Sequence, residues 1–420
     1  MPTLSHPRPR RTASGGRALL PSLSVVALVL AANFAAIIAV LLPNQIAHID
    51  PANKVQNLAI VTSVSFGFTL FAQPLVGALS DRTRGTLGRR LPWMAAGAVV
   101  AAAFLFALGG IGSVPWVCVF WVVIQFALNA VDGPVSAVVP DRIPRSRRGT
   151  ASAIIGIGMM AGAALGTVGA AEFAHQLPLA YTALGIAVIA GVAVFAVFGR
   201  EPAEIALARQ ASVPPFSWRG FLRGFWVDPR QHPDFTWAFA ARFLFILGYN
   251  LVYSFQLFVL TDYIEMSLDD ANRLLGLLTV LTFITTLLAV VVAGWWSDRS
   301  GRRKIFVGAA SAFLVIALAA PLLVPTVGGM VVFAAVKGLG FGIFLSSAAA
   351  LFTEVLPHDG GSAAKDLGIF NVATNLAQVL APAIAAAIIG STVGYPALFG
   401  TGIVAVIAAA LLILPIRGVR

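Results

Sequence analysis

The sequence has 420 residues, of which 59% are hydrophobic and 11% charged, and its mean hydropathy is +0.89. A water-soluble domain carries about 25% charged residues, so lipid must surround most of this chain, and we expect an all-α membrane protein. The net charge of +11 does not indicate nucleic-acid binding, because the basic residues are spread over many loops. One cysteine, Cys118, excludes a disulfide framework and a cysteine-clustered metal site.

Residues 1–18 are rich in Arg, Pro, Ser and Gly, and we expect a disordered cytoplasmic tail. The apolar stretch that follows is too long for a signal-peptide core of 7–15 residues, so it is predicted to be the first membrane span. A spanning helix needs about 20 apolar residues. Twelve stretches meet this length, at 20–42, 56–79, 93–111, 114–139, 150–172, 178–198, 236–260, 273–296, 305–324, 328–353, 366–390 and 395–415.

The basic residues indicate how the chain crosses the membrane. Nearly all of the 28 Lys and Arg fall in the tails and the even-numbered connections, whereas Lys54 and Arg273 fall in the odd-numbered ones. Arg242 and Lys337 lie inside spans. Because basic loops stay in the cytoplasm, this pattern predicts a multi-pass protein of the plasma or inner membrane with both termini cytoplasmic.

Two segments of the first half recur in the second half. "GALSDRTRGTLGRR" begins at Gly77 and "GWWSDRSGRRK" at Gly294, after the second and eighth spans; "AVVPDRIP" and "ALFTEVLP" follow the fourth and tenth. The repeat predicts two six-helix bundles, 19–198 and 236–420. The cytoplasmic linker, 199–235, contains "FSWRGFLRGFW", whose spacing predicts an amphipathic helix lying on the inner leaflet.

These segments resemble the loop signature of the major facilitator superfamily. "QPLVGALSDRTRGTLGRRLPW" and "NAVDGPVSAVVPDR" further resemble its sucrose-transporter and glycoside–pentoside–hexuronide branch. The resemblance implies twelve transmembrane helices in two pseudo-symmetric six-helix bundles, and a loop motif that holds the halves together at the cytoplasmic face. The motif residues are Gly77, Asp81, Arg82, Gly88, Arg89, Arg90, Asp141, Gly294, Asp298, Arg299, Gly301, Arg302 and Arg303.

The chain departs from that branch at its coupling sites. Gln125 stands where the resemblance places the helix-four carboxylate of sucrose/proton symporters, and a glutamine cannot take up a proton. Helix two lacks the aspartates of melibiose-type members. Asp132 is the only acid well inside a span, so sucrose transport by the familiar mechanism is not indicated.

Polar side chains within spans are costly in hydrocarbon and therefore indicate either a cavity or bonds between helices. The resemblance implies that helices one, four, seven and ten line a central cavity. The cavity candidates are Asn33, Gln125, Asn129, Tyr249, Asn250, Tyr253, Gln256 and Lys337. Amides and aromatic rings suit a hydroxylated ligand such as a sugar, and Lys337 is a candidate for binding an anion or for proton coupling.

Asp132 and Arg242 lie at similar predicted depths in opposite halves, about 10 Å and about 9 Å from their helix ends. We therefore consider an ion pair between the halves that opens during transport, as well as the alternative that each charge is paired within its own half. Five glycines in helix five predict close approach to a neighbouring helix.

The sequence thus predicts a secondary active transporter of a small, sugar- or glycoside-like solute that works by alternating access, either proton-coupled or passive. An efflux carrier for a drug or metabolite and a non-transporting membrane sensor are the alternatives. The histidines form no cluster with acids and no metal spacing, so we expect no enzyme activity, cofactor or metal. The expected partners are the solute, a proton and the lipid bilayer, with the protein as a monomer.

Overall fold

The computed structural model describes residues 18–80, 82–83, 87–199, 230–300, 302–354 and 363–416. Within these ranges, twelve helices are long and apolar enough to cross a bilayer, which confirms the predicted fold class. The helices are α1 Leu19–Ile49, α2 Lys54–Ser80, α3 Leu91–Leu108, α4 Val114–Arg142, α5 Arg148–Glu172, α6 Leu177–Phe198, α7 Pro233–Tyr253, α8 Leu268–Ser300, α9 Arg303–Leu323, α10 Val327–Glu354, α11 Ala363–Ile389 and α12 Tyr395–Ile413.

Two helices depart from regular α-helical geometry. In α1, Ile37–Leu41 forms a π turn, which inserts one extra residue into the helix. Helix α7 ends at Tyr253, and a turn precedes the short helical segment Gln256–Phe258 and the π turn Val259–Tyr263. The prediction of one continuous span over 236–260 is therefore wrong in its last turns, because the apolar sequence continues through the break.

The packing of the helices repeats between the two halves. In the first half, α1 packs on α5 and α6, α4 packs on α2 and α3, and α3 packs on α6. In the second half, α7 packs on α11 and α12, α10 packs on α8 and α9, and α9 packs on α12. Each of these contacts in the first half has its counterpart six helices later. The main contacts between the halves are α2 with α11 and α5 with α8. Replacing each helix by its counterpart in the other half converts one of these pairs into the other.

Glycines allow α1 and α5 to approach closely. A Cβ atom added at Gly162 would lie 2.0 Å from the carbonyl oxygen of Leu28, and one added at Gly166 would lie 2.3 Å from that of Ala32. Only a residue without a side chain fits at such distances. The close approach predicted for helix five is confirmed at these two positions.

A second close contact joins α8 and α10. A Cβ atom at Gly338 would lie 2.6 Å from the carbonyl oxygen of Thr282, and one at Gly342 would lie 2.5 Å from that of Thr286. These glycines are one helical turn apart, so they form one small-residue face of α10. The two helices are therefore closely packed, and both contribute to the site described below.

Successive helices run in opposite directions, so their connections lie at two ends of the molecule. We call these the basic end and the opposite end. The basic end holds the start of α1, the end of α12 and the basic side chains Arg82, Arg89, Arg90, Arg142, Arg148, Arg302 and Arg303. The opposite end holds the connections α1–α2, α7–α8 and α11–α12. Residues 1–17 of the predicted tail and 200–229 of the predicted linker lie outside the described residues, so the domain boundaries stay predictions.

Candidate functional site

A cavity of about 140 Å³ lies between the two halves. Helices α1, α5, α8 and α10 line it, together with the end of α7 and the first residue after its break. The lining residues are Ala35, Met160, Ala163, Ala164 and Thr167 from the first half, and Tyr249, Tyr253, Gln256, Thr279, Thr282, Phe283, Thr286, Lys337 and Phe341 from the second half.

The two walls of this cavity differ in chemistry. The first half contributes small or apolar side chains, with Thr167 as its one polar group in the lining. The second half contributes three threonines, an amide, two phenols, two phenylalanines and an ammonium group. The second half therefore supplies nearly all of the groups in the described lining that can form hydrogen bonds or carry charge.

Lys337 is the charged residue of the lining and is only 5% exposed. Its Nζ lies 3.4 Å from Oε1 of Gln256, 4.7 Å from the ring centre of Phe333 and 5.7 Å from that of Tyr249. Within the described residues, no carboxylate lies at salt-bridge distance from this ammonium. The described partners of this buried ammonium are one amide oxygen and two aromatic rings, none of which carries a negative charge that would balance it.

Aromatic rings form one side of the cavity. Tyr249 stacks on Phe341 with ring centres 4.7 Å apart and an interplanar angle of 21°. Tyr253 lies 5.9 Å from Tyr249 at 22°. Stacked rings of this kind present a flat apolar face, against which the apolar face of a ring-shaped solute can pack.

A row of threonines forms another side, and the sequence analysis did not identify it. Thr279, Thr282 and Thr286 lie on one face of α8, at spacings of three and four residues. The hydroxyl of Thr282 donates to the carbonyls of Leu278 at 2.8 Å and Ala334 at 3.1 Å. Since that donor is already engaged, its oxygen remains as an acceptor for a solute hydroxyl. The spacing of these three threonines is the feature of the sequence from which the row could have been predicted.

Four of the eight predicted cavity residues meet here, namely Tyr249, Tyr253, Gln256 and Lys337. The structure places the other four outside this lining. Asn129 donates to the carbonyl of Gln125 at 2.8 Å, and Asn250 to that of Ile246 at 2.9 Å. No residue of α4 belongs to the described lining, although the resemblance implied one. Substrate contacts by these amides stay predictions.

The fully buried Asn33 bonds between helices of its own half. Its Nδ2 donates to the carbonyl of Val29 at 3.0 Å and to that of Leu184, in α6, at 3.5 Å. Its Oδ1 is buried without a hydrogen-bond partner among the described groups. This geometry agrees with the alternative that intramembrane amides join neighbouring helices.

One described contact of Arg242 lies within the second half. Its Nε donates to Oγ1 of Thr374, in α11, at 2.9 Å. It also borders a small cavity that Phe245, Ser311 and Phe344 line with it. This contact is of the kind expected if the charge is structural. The pairing of Arg242 with Asp132, which is half-buried in α4, stays a prediction.

At the basic end, the loop-motif residues of the first half form a charged cluster. Nη2 of Arg89 lies 2.8 Å from Oδ2 of Asp141, and Nε of Arg90 lies 3.0 Å from the same oxygen. Nη2 of Arg90 also contacts this oxygen. These described contacts join the start of α3 to the end of α4. Gly88, with φ of 80°, adopts a backbone conformation that favours glycine.

The second copy of the motif is described only in part. The guanidinium of Arg299 lies 5.5 Å from the ring centre of Trp295, one turn earlier in α8. A Cβ atom at Gly294 would lie 3.8 Å from Cβ of Ser346, which is ordinary contact. Asp81, Gly301 and the side chain of Asp298 lie outside the described residues. The predicted contact of the aspartates with the other half therefore stays a prediction, as do the roles of Gly77, Arg82, Arg302 and Arg303.

At the opposite end, polar contacts join the two halves. Asn44 of α1 and Asn272 of α8 exchange hydrogen bonds of 2.8 and 3.0 Å, and both side chains are buried. Nζ of Lys54 lies 2.6 Å from Oδ1 of Asp262, whose other oxygen accepts a bond of 2.8 Å from Tyr395. The asparagine pair and the ion pair therefore link the two halves at this end.

Two homologous six-helix bundles around a cavity with one polar wall define a membrane transporter. The chain belongs to the Major Facilitator Superfamily, whose family profile matches residues 23–271 and 251–419. It is accordingly a multi-pass membrane protein that transports a small solute and is not an enzyme.

Solved structures of three transporters share the fold. A mutant of the nucleoside transporter NupG is 14% identical with a TM-score of 0.72, over 95% of this chain and 98% of that one. A peptide transporter POT mutant in complex with alafosfalin is 16% identical with a TM-score of 0.71, over 94% and 93%. A bacterial homolog of the human lysosomal transporter Spinster, inward-facing and unoccupied, is 14% identical with a TM-score of 0.66, over 96% and 95%. No curated protein sequence matches the chain.

Proposed function

We propose that the protein carries a small hydroxylated solute, sugar- or glycoside-like, across the cell membrane by alternating access. The observation that supports this most directly is the second-half wall of the cavity, where the stacked rings of Tyr249 and Phe341 lie beside the threonine row of α8. A ring-shaped solute with hydroxyl groups matches both features, because its apolar face packs on the aromatic rings while its hydroxyls donate to the threonine oxygens.

The charge distribution supports an orientation. With the basic end in the cytoplasm, both termini are cytoplasmic and the contacts at the opposite end block access from outside. We propose a monomer as the transporting unit, because the cavity lies between the two halves of one chain. The first-half motifs that resemble the sucrose-transporter and glycoside–pentoside–hexuronide branch agree with a sugar-like solute.

Asp132 is the group that we propose for proton coupling. It is a carboxylic acid inside α4, where charged side chains are rare and commonly belong to ion or proton pathways. Replacing Asp132 with Asn removes the titratable proton with little change of size. Uptake by Asp132→Asn should lose its dependence on the pH gradient, and an unchanged dependence would exclude a coupling role for this residue.

The decisive experiment is uptake of a solute panel by proteoliposomes, with and without a pH gradient. We expect accumulation of a hydroxylated solute, collapse of that accumulation without the gradient, and loss of uptake in Tyr249→Leu. Trp116→Leu is the matched control, because Trp116 is 58% exposed and lies outside the cavity. Gradient-driven release of solute would identify export, and inactivity toward every hydroxylated solute would contradict the proposal.

A further inference from the structure

We infer that the transported solute carries a carboxylate, or a comparable single negative charge, that pairs with Lys337 in the central cavity. This inference rests on the proposed function and narrows its solute class to small hydroxylated anions. It comes from the position of one ammonium group, from the charges around that group, and from the acceptors beside it.

The ammonium of Lys337 belongs to the cavity and not to the membrane surface. Lys337 is the eleventh residue of α10, so it lies about 15 Å from the start of that helix at 1.5 Å per residue. Long basic side chains near helix ends reach water by extending along the helix. Lys337 does not, since it is 5% exposed and its Nζ contacts Gln256, Tyr249 and Phe333.

The described surroundings of Lys337 hold no balancing anion. Every other described residue of the lining is uncharged at neutral pH. Asp262, an acid of the second half, binds Lys54 and Tyr395 at the opposite end. Asp132 lies on α4, which does not contribute to the lining. A buried ammonium without a negative partner is unfavourable, so an anionic solute that brings the missing charge is preferred over a neutral one.

The hydrogen-bonding capacity of the ammonium also remains largely unused. It has three donors, and its one hydrogen bond to a described group is the long contact of 3.4 Å with Gln256. A carboxylate can accept from the remaining donors, while the threonine oxygens of α8 accept from hydroxyls on the same solute. The cavity of about 140 Å³ is small beside the roughly 300–1,000 Å³ of drug-sized pockets, which favours a small anion.

The test compares solutes that differ only in the charged group. Binding of glucuronate and glucose, and of gluconate and sorbitol, is measured by calorimetry on the purified full-length protein and on Lys337→Met and Lys337→Arg. We expect the wild-type protein to prefer at least one anion over its neutral partner. Lys337→Met should weaken binding of that anion by about 10- to 100-fold, as for the loss of a charge-assisted hydrogen bond, and should weaken binding of the neutral partner much less. Lys337→Arg should retain the preference.

The matched control is Lys304→Met, because Lys304 bonds to the carbonyl of Ile416 at the basic end, far from the cavity. Thermal unfolding of each variant verifies that it is folded. Binding of neutral members as tight as that of the anions, or anion binding that survives Lys337→Met, overturns the inference and leaves the proposed function standing. Failure to bind any member of either pair also overturns the inference, whereas the proposed function is overturned only by inactivity toward every hydroxylated solute of the uptake panel.

Discussion

Asn44 and Asn272 face each other across the boundary between the two halves and exchange two amide hydrogen bonds, of 2.8 and 3.0 Å. Asn44 lies in α1 and Asn272 near the start of α8, so one small pair connects bundles that must separate at this end when the cavity opens there. Asn44 also donates to the carbonyl of Val40 at 2.7 Å, which fixes its orientation. The pair therefore stabilises the closed state of the opposite end.

Removing one amide should shift the protein toward a state that is open at the opposite end. In Asn44→Ala the buried side chain of Asn272 loses its partner, which costs about 1–3 kcal/mol in the closed state and much less once that end is hydrated. Spin-label distances across the opposite end should then show a larger open fraction. In a double-mutant cycle, Asn272→Ala should increase the open fraction less in the Asn44→Ala background than in the wild-type protein.

The matched control for this shift is Asn53→Ala. Asn53 bonds to Asp50 within the α1–α2 connection and makes no described bond to the second half. Its removal should leave the spin-label distances unchanged. Equal distance distributions for Asn44→Ala and wild type would contradict the assignment of the asparagine pair as a closing contact.

The ion pair of Lys54 and Asp262 should contribute less than the asparagine pair and should depend on salt. The two side chains are 23% and 27% exposed, so water screens the pair and limits its contribution to about 1 kcal/mol or less. Lys54→Gln should open the end slightly at low ionic strength and have almost no effect in 0.5 M salt, where screening is strong. The effect of Asn44→Ala should be insensitive to salt, and a strong salt dependence there would contradict this distinction.

Two glycines of α5 should respond with opposite signs to the same substitution. Gly162→Ala places a methyl group 2.0 Å from the carbonyl oxygen of Leu28, so α1 and α5 must move apart and the melting temperature should fall by several degrees. Gly169→Ala meets no atom within 4 Å and should stabilise the helix by about 0.5–1 kcal/mol. Thermal unfolding in detergent measures both, and equal shifts would contradict the close-packing argument.

Tyr181→Phe should destabilise the first half without altering the cavity. The fully buried phenol donates to Oε1 of Gln45 at 2.8 Å, and Nε2 of Gln45 donates to the carbonyls of Leu108 at 2.8 Å and Ile111 at 3.1 Å. Removing the hydroxyl leaves a buried acceptor unsatisfied at a cost of about 1–3 kcal/mol. Thr182→Val removes an exposed hydroxyl that bonds within its own helix and should cost far less. Equal melting temperatures for the two variants would contradict the role of this network.

The hydropathy pattern was sufficient to predict the twelve spans, because each crossing requires a long apolar run that almost nothing else in a protein requires. It could not predict the end of α7 at Tyr253. The sequence remains apolar through "SFQLFVL", with no glycine or proline to mark a break. Tertiary contacts decide that position, and they still place Gln256 at the cavity.

Polarity within spans predicted part of the cavity lining. Lys337 and Gln256 could be identified as cavity candidates, because placing an ammonium or an amide in lipid is energetically unfavourable. Gln125 and Asn129 are also polar residues within a span, yet they lie outside the described lining. A polar stripe identifies one face of a helix, but it does not identify which neighbouring helix or cavity that face contacts. The threonines of α8 escaped notice because a hydroxyl that bonds to its own helix is nearly neutral in hydrocarbon.

The unequal walls of the cavity have a consequence for how selectivity can change in evolution. The threonine row, the stacked rings and the ammonium all belong to the second bundle, whereas the first contributes three alanines, a methionine and the single hydroxyl of Thr167. A bound solute would therefore travel with one bundle while the other slides past it. Substitutions in the second bundle alone could therefore change the solute selectivity. Exchange of the first half between relatives would leave the transported solute the same.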